Sequence, residues 1–334
     1  MTPYASSDPV AALPGAERGA PSRVARALGG GNVADRVYGL VLLGAGLVLP
    51  VLFAFIIARV GAAAWLAVRS FGPGFVTATA WDPVAGRFGA LPFIFGTVVS
   101  SLLALAVAFP LALGLSIFLT ELAPRWLAVP VAFATDLLAA IPSVVYGLWG
   151  IFVLVPWLRT HVEQPIADRF GDAIPLLAGP AYGVSIFAAG VILAIMIIPF
   201  ISAVSREVLA AVPRTQREAA LALGATRWET TWKSVLPFAL PGIFGAAILG
   251  LGRALGETMA VTMVIGNRPE VPSSIFHPGY TLASVLANEF AEASGDLYLA
   301  SLMAVGFILL GVTIVVNALA RLLVWYVARR GRAA

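Results

Sequence analysis

The amino-acid sequence predicts an all-α protein with six membrane-spanning helices. Hydrophobic residues make up 60% of the 334-residue chain and charged residues 11%, with a mean hydropathy of +0.94. A soluble domain carries about 25% charged residues, so this composition indicates a polytopic membrane protein. Six uncharged runs each provide the roughly 20 apolar residues that a span requires.

Residues 1–31 differ from the rest of the chain, because they are rich in Ala, Pro, Gly and Ser. This composition predicts a disordered cytosolic tail, followed by a membrane domain at 32–334. Pro142 and Gly147 predict a kinked or interrupted third span. The six predicted spans cover residues 37–60, 92–120, 133–157, 179–205, 238–267 and 297–327.

The predicted outer loops, at about 65–91, 159–178 and 268–296, carry acidic side chains such as Glu163 and Glu289. We interpret these carboxylates as solvated loop residues, and a docking surface for an outer partner is the alternative. Apolar residues at helical spacing also predict a short helix at 281–293, on the outer face.

The distribution of basic residues predicts the orientation in the membrane. With both termini inside the cell, 14 of the 21 Lys and Arg residues lie in cytosolic segments and six lie in outer loops. Basic residues favour the cytosolic side of a membrane. We therefore expect a multi-pass protein of the cell membrane, surrounded by lipid, with cytosolic N and C termini.

The segment 213–237 is a charged region between the fourth and fifth predicted spans, and it predicts two short helices. Each helix begins at a capping box, in which a Thr precedes a Glu by three positions. The two pairs are Thr215 with Glu218 and Thr226 with Glu229. Gly224 suits the left-handed end of the first helix, and Pro237 is expected to stop the second. An ordinary cytosolic loop and a docking element for another protein are both compatible with this pattern.

The spacing inside this segment resembles the EAA loop of ABC importer permeases. The matching residues are Glu218, Ala219, Ala220, Gly224, Leu236 and Pro237. The family usually has an aliphatic residue two positions before this Leu, where the present chain has Ser234. The resemblance implies that the loop docks in a groove of an ATPase subunit and carries its motion to the membrane.

The predicted fifth span contains two charged residues, Arg253 and Glu257, four positions apart. This spacing predicts a shared helix face and an ion pair. A charge at the bilayer centre costs about 2.5–3.5 kcal/mol, so both residues are expected to face protein or a water-filled path. One interpretation is a structural ion pair that fixes helix packing. The other is a substrate path, in which an anion displaces Glu257 from the guanidinium group of Arg253.

Neutral polar residues near these charges extend the candidate path. Thr258, Thr262 and Asn267 follow Arg253. Ser143 and Tyr146 lie in the predicted third span. Each of these side chains can either line a path or satisfy backbone groups freed by a helix break, and the sequence leaves both roles open.

The composition argues against several other chemistries. The chain contains no Cys and two His, so we expect neither a His/Cys metal site nor a cofactor. Lys233 is the only lysine and lies in no phosphate-binding motif, so any ATP hydrolysis belongs to another chain. An intramembrane enzyme would need a nucleophile or base in the spans, and a secondary transporter would need no docking loop. Basic residues that flank spans account for the positive charge better than nucleic-acid binding does.

Two further stretches narrow the resemblance. IPSVVYGLWG at 141–150 and RALGETMAVTMVIGN at 253–267 are similar to the phosphate-specific permeases of ABC importers. The similarity runs from about residue 37 to 328 and implies a type I importer fold with cytosolic EAA coupling helices. It also implies a PstA-like second permease, two copies of a PstB-like ATPase and a PstS-like extracytoplasmic phosphate-binding protein. Phosphate import by alternating access is the leading hypothesis, and import of sulfate, molybdate or phosphonate is the alternative.

Overall fold

The computed structural model describes residues 33–330, so the predicted tail at 1–31 lies outside the described residues. Met1–Ala58 and Arg59–Ala334 form separate units, and the contacts given below lie within the second. The α-helices of the described region are Val33–Phe71, Gly74–Thr77, Leu91–Ile117, Arg125–Ala139, Ser143–Trp149, Val155–Leu158, Gln164–Phe170, Ile186–Ala210, Arg214–Ala222, Arg227–Thr230, Leu236–Leu255, Met259–Val264, Leu282–Glu289 and Asp296–Arg330. The π-helical turns are Phe118–Leu122, Gly150–Leu154, Arg159–Glu163 and Thr231–Val235, and Pro175–Leu177 is a 3₁₀ turn.

Six helical stretches are long and apolar enough to cross a membrane, which confirms the predicted number. They are called the first to sixth spans below and cover Asp35–Phe71, Leu91–Leu122, Ser143–Phe170, Ile186–Ala210, Arg227–Leu255 and Asp296–Leu322. The helices Ser143–Trp149, Val155–Leu158 and Gln164–Phe170 form one span because π-turns connect them.

The predicted third span at 133–157 is interrupted near Pro142, as expected, and the observed span has different boundaries. A separate helix at Arg125–Ala139 ends shortly before Pro142, and the span itself starts at Ser143. Proline disfavours helical geometry at the residue before it, which explains the break. Gly147 lies inside the helix instead of at the break. The predicted outer loop at 159–178 is helical as far as Phe170.

The fourth span lies at the centre of the packed helices. In the most apolar 18-residue stretch of the fourth span, 67% is buried inside the protein, compared with 33% for the second span and 28% for the sixth. Ala104, Ala108 and Ala112, one on each turn of the second span, are fully buried. Small side chains let membrane helices approach closely and gain van der Waals contact. The second span therefore packs tightly beside the fourth in one apolar core.

Two acidic residues that were predicted to be solvated accept hydrogen bonds from other parts of the chain instead. Glu163 is fully buried, and its carboxylate accepts hydrogen bonds from the Gly183 amide at 3.1 Å and the Ser185 hydroxyl at 2.7 Å. Glu289 accepts hydrogen bonds from Trp81 Nε1 and from the hydroxyl of Tyr298, both at 2.7 Å. These carboxylates hold loops against the spans, a role that needs partners distant in the sequence.

The predicted short helix near 281–293 is present at Leu282–Glu289. Leu282 and Val285 on this helix are fully buried and pack against the first turns of the sixth span. Burial also raises the pKa of the Tyr280 hydroxyl, which accepts a hydrogen bond from Asn288 at 3.0 Å. The helix is thus part of the packed structure of the second unit.

Candidate functional site

Arg253 lies in the last turn of the fifth span and packs beside Phe200, near the middle of the fourth span. Its guanidinium carbon is 5.8 Å from the ring centroid of Phe200, which is a cation–π distance. Phe200 lies about 15 Å from the end of the fourth span at Ala210, by the helical rise. The Arg253 side chain is exposed in this single chain. In the described part of the chain, no acceptor forms a hydrogen bond with its guanidinium N–H groups.

The predicted ion pair between Arg253 and Glu257 is absent from the described ion pairs. The fifth span ends at Leu255 with Gly256 as its C-cap, so the helical register stops before it reaches Glu257. Glu257 Oε1 instead accepts a hydrogen bond from the amide of Ala260 at 3.4 Å. The predicted continuation of this span to residue 267 is likewise wrong, because a separate short helix covers Met259–Val264.

Two helix breaks meet beside Arg253, one before the third span and one after the fifth. At Gly147, near the start of the third span, that span packs against Met259–Val264, the short helix that follows the second break. Ser143, the first residue of that span, is partly exposed. Interrupted backbone at membrane depth is tolerated where protein buries it or where it lines a water-filled cavity. The structure therefore brings predicted path residues of two distant segments together.

The neutral polar residues around these breaks bond backbone carbonyls. The Tyr146 hydroxyl donates to the carbonyl of Leu138, near the end of the helix that precedes the break, at 2.8 Å. The other bonds join Thr258 Oγ1 to the Gly256 carbonyl at 3.3 Å, Thr262 Oγ1 to the Thr258 carbonyl at 2.7 Å and Asn267 Nδ2 to the Thr262 carbonyl at 2.8 Å. Of the two roles left open by the sequence, these contacts match the satisfaction of freed backbone groups. The place where the two helix breaks meet is called the junction below. Arg253 is the charged hydrogen-bond donor at this junction.

Gly147 sets the spacing between the two interrupted helices. A Cβ atom added there would lie 2.6 Å from Met263 Sδ and 3.0 Å from the Cα of Ala260. We expect Gly147→Val to lower the thermal stability of the purified chain, because overpacking of a tight contact costs about 1–3 kcal/mol. Gly114→Val is the matched control in the second span, since no atom lies within 4 Å of its added Cβ. Equal melting temperatures for the two variants would contradict this packing.

The segment 213–237, which includes the start of the fifth span as observed, contains the two predicted helices. The first covers Arg214–Ala222, and Gly224 follows with the predicted left-handed geometry at φ +84°. The second begins at Arg227 with the predicted capping box. Its Thr226 amide donates to Glu229 Oε2 at 3.0 Å, and the Glu229 amide donates to Thr226 Oγ1 at 3.2 Å.

Two details of this segment differ from the prediction. Pro213 is the N-cap of the first helix, so Thr215 lies within the first turn and caps nothing. Pro237 does not end the second helix, because the helix continues through a π-turn into the fifth span and reaches Leu255. Pro237 removes one backbone N–H donor from this element two residues after the π-turn Thr231–Val235, but the helix continues past it. The second helix and the fifth span are therefore one continuous element.

The predicted docking residues divide between surface and core. Glu218, Ala219, Gly224 and Pro237 are exposed, and Ala220 is half-buried. Leu236 is only 7% exposed and packs in the apolar cluster formed with the second and fourth spans. Ser234, which replaces the usual aliphatic residue, donates to the Gln216 carbonyl at 3.0 Å and so joins the two helices.

Exposed apolar side chains next to this surface were not among the predicted site residues. Leu223 is 90% exposed, and Trp228 and Trp232 are exposed with ring centroids 5.5 Å apart. Aromatic residues are enriched at the cores of protein interfaces. Their helical spacing of four residues, outside any predicted span, is the sequence signal that would have found them.

Comparison with known protein families identifies the family of this chain. Residues 112–330 match the family described as the binding-protein-dependent transport system inner membrane component, and the chain belongs to this family. It is 45% identical to the phosphate transport system permease protein PstC of Mesorhizobium japonicum, over 86% of this chain and 89% of that protein. It is 48% identical to PstC of Pasteurella multocida, over 80% of this chain and 84% of the relative.

A solved structure supports the same fold. A chain from a bacterial alginate ABC transporter, in complex with a pentasaccharide-bound periplasmic protein, superposes with a TM-score of 0.58. The alignment covers 89% of this chain and 98% of that chain at 17% sequence identity. At this identity the similarity concerns the fold alone, which is that of type I ABC importer permeases.

Proposed function

We propose that this chain is the membrane permease subunit of an ATP-driven importer that moves inorganic phosphate into the cell. Identities of 45% and 48% with relatives named as phosphate transport permeases support the substrate. These relatives align with 86% and 80% of the chain, so the similarity extends over most of its length. ATP hydrolysis is assigned to a partner ATPase.

The observation that carries this proposal is the position of Arg253. It lies where two interrupted helices meet, level with the middle of the fourth span, and its N–H donors bond no acceptor in the described chain. A guanidinium group presents paired donors that match two oxygens of a tetrahedral oxyanion. Phosphate passing this point would satisfy the donors and neutralise the charge. Ser143, Tyr146, Glu257 and Thr258 surround the same junction and complete the proposed path.

The two-helix segment is the proposed contact with the ATPase. Glu218, Ala219, Ala220 and Gly224 form its docking surface, and Pro237 marks its boundary with the membrane. Leu236 is buried, so its proposed role is to transmit movement into the spans. ATP binding closes the ATPase dimer, the segment moves, and the path opens alternately to each side of the membrane.

The partners and the orientation follow from the same proposal. A PstA-like second permease completes the path beside Arg253, whose side chain is exposed in the single chain. A PstB-like ATPase dimer binds the segment in the cytosol, and a PstS-like protein delivers phosphate from outside. Both termini lie in the cytosol, because this orientation places most basic residues there.

The proposal is tested in proteoliposomes that contain this chain with its partner permease and ATPase. The binding protein is added outside and ATP is enclosed inside. We expect uptake of labelled phosphate that requires ATP and exceeds uptake of labelled sulfate. Sulfate uptake in its place would overturn the substrate, and uptake that does not depend on ATP would overturn the coupling.

A further inference from the structure

The helices Arg214–Ala222 and Arg227–Thr230 are called the first and second loop helices below. The guanidinium group of Arg217, in the first loop helix, forms hydrogen bonds with two other parts of the chain. Its Nε and Nη2 donate to the two carboxylate oxygens of Glu121, at 3.2 and 2.7 Å. Nη2 also donates to the Leu209 carbonyl at 2.8 Å, and Nη1 donates to the Val212 carbonyl at 2.6 Å. One side chain therefore makes four hydrogen bonds.

These acceptors belong to the ends of two membrane spans. Glu121 lies in the π-turn that ends the second span. Leu209 lies in the last turn of the fourth span, and Val212 follows its end. Carbonyls at a helix C terminus lack partners inside the helix, and a cationic side chain there also matches the helix dipole. Arg217 thus satisfies the end of one span and forms a bidentate ion pair with the end of another.

The contact is partly shielded from water. The side chains of Arg217 and Glu121 are 22% and 11% exposed. An exposed ion pair contributes little, because solvent screens it and the side chains lose entropy. Shielding strengthens the attraction here, and the planar fork of arginine orients it. Lysine, a single charge with three donors, cannot reproduce two parallel bonds to a carboxylate together with two carbonyl contacts.

We propose that Arg217 and Glu121 form a clamp that makes the first loop helix move with the second and fourth spans. The proposal rests on the proposed role of this segment as the ATPase contact. The second loop helix is continuous with the fifth span, and the clamp supplies the corresponding connection for the first. Movement of the segment is thereby transmitted to three spans together. Arg217 is a positioning residue, because it acts through the docking surface and does not touch the solute.

The test measures phosphate transported per ATP hydrolysed in the reconstituted complex. The variants are Arg217→Lys, which keeps the charge, and Glu121→Gln, which keeps the size. We expect both complexes to assemble and to hydrolyse ATP near the wild-type rate. Phosphate transported per ATP should fall about tenfold, within the usual range of coupling between sites.

Arg268→Gln is a matched control because Arg268 also forms a bidentate pair with a glutamate. Arg268 Nε and Nη2 lie 3.1 Å from the carboxylate oxygens of Glu270, and the side chains are 55% and 62% exposed. We expect the control to keep the wild-type ratio. A purely structural role for the clamp would lower uptake and ATP hydrolysis together and leave their ratio unchanged, and this result would overturn the proposal.

A second measurement does not depend on the transported solute. The chain contains no cysteine, so Phe118→Cys and Leu221→Cys place two spin labels at sites that are 40% and 47% exposed. In the assembled complex we expect one narrow distance distribution, with and without ATP, and a clearly broader one after Arg217→Lys. An unchanged width would overturn the clamp. Absence of phosphate uptake by the wild type would instead overturn the proposed function, and the label distances would still test the clamp.

Discussion

A complex that carries Arg253→Gln is expected to assemble normally and to lose phosphate uptake. Glutamine keeps donors at this position but removes the charge and the paired geometry of the guanidinium group. A hydrogen bond to a charged group contributes about 1.5–3 kcal/mol. Loss of two such bonds to the anion therefore predicts a decrease of about a hundredfold or more, since about 1.4 kcal/mol corresponds to tenfold. Uptake of labelled phosphate in proteoliposomes, normalised to assembled complex, measures this effect.

Arg321→Gln is the control for this experiment. Arg321 is also an exposed arginine in a span, but it lies outside the junction of the interrupted helices. The control separates loss of an arginine in the membrane from loss of this particular one. Wild-type uptake in a well-assembled Arg253→Gln complex would remove Arg253 from the path. Equal losses in both variants would indicate a general effect of charge on the membrane domain.

The second large effect is expected for Glu218→Lys, which should abolish ATP-dependent uptake. Glu218 is exposed on the first loop helix and has no partner among the described ion pairs. Reversal of its charge therefore leaves the fold of this chain unchanged and acts on the docked ATPase. If Glu218 is a hot spot of this interface, its loss costs about 2 kcal/mol or more, so binding of the ATPase should weaken about thirtyfold or further. Co-purification of the ATPase and uptake both report the loss.

Glu292→Lys reverses the charge of another exposed glutamate and serves as the control. This residue lies in the loop before the sixth span, far along the chain from the proposed docking surface. We expect it to keep both the ATPase and ATP-dependent uptake. If Glu218→Lys also retained the ATPase at wild-type affinity, the docking surface would have to lie elsewhere on the segment.

Much of the loop segment was predictable because its signals are local. The capping box at Thr226 and the left-handed Gly224 depend on residues within one turn, and both are present. Thr215 has the same spacing to a glutamate as Thr226 but caps nothing. The difference is that this helix already begins at Arg214, one position before Thr215, with Pro213 as its N-cap.

The candidate path shows the opposite case. The residue types near Arg253 were predicted from the sequence, but their arrangement was not. The spacing of Arg253 and Glu257 predicts one helix face only if the helix continues, and it ends at Leu255. The position of that break depends on the neighbouring third span, where Gly147 admits the short helix that follows.

Hydropathy and local spacing determined the number of spans, the two-helix segment and the presence of an arginine at membrane depth. These features depend on the composition of single segments, because each span must match the bilayer by itself. The tertiary structure decided which partners the charged side chains have. Arg217 pairs with Glu121, 96 residues away, and Arg253 lies over the ring of Phe200 instead of pairing with Glu257. Such pairs depend on which helix faces pack together, and in a membrane nearly all faces are equally apolar. Close packing and a few polar contacts determine which helix faces pack together, and these contacts involve residues from several separate segments of the sequence.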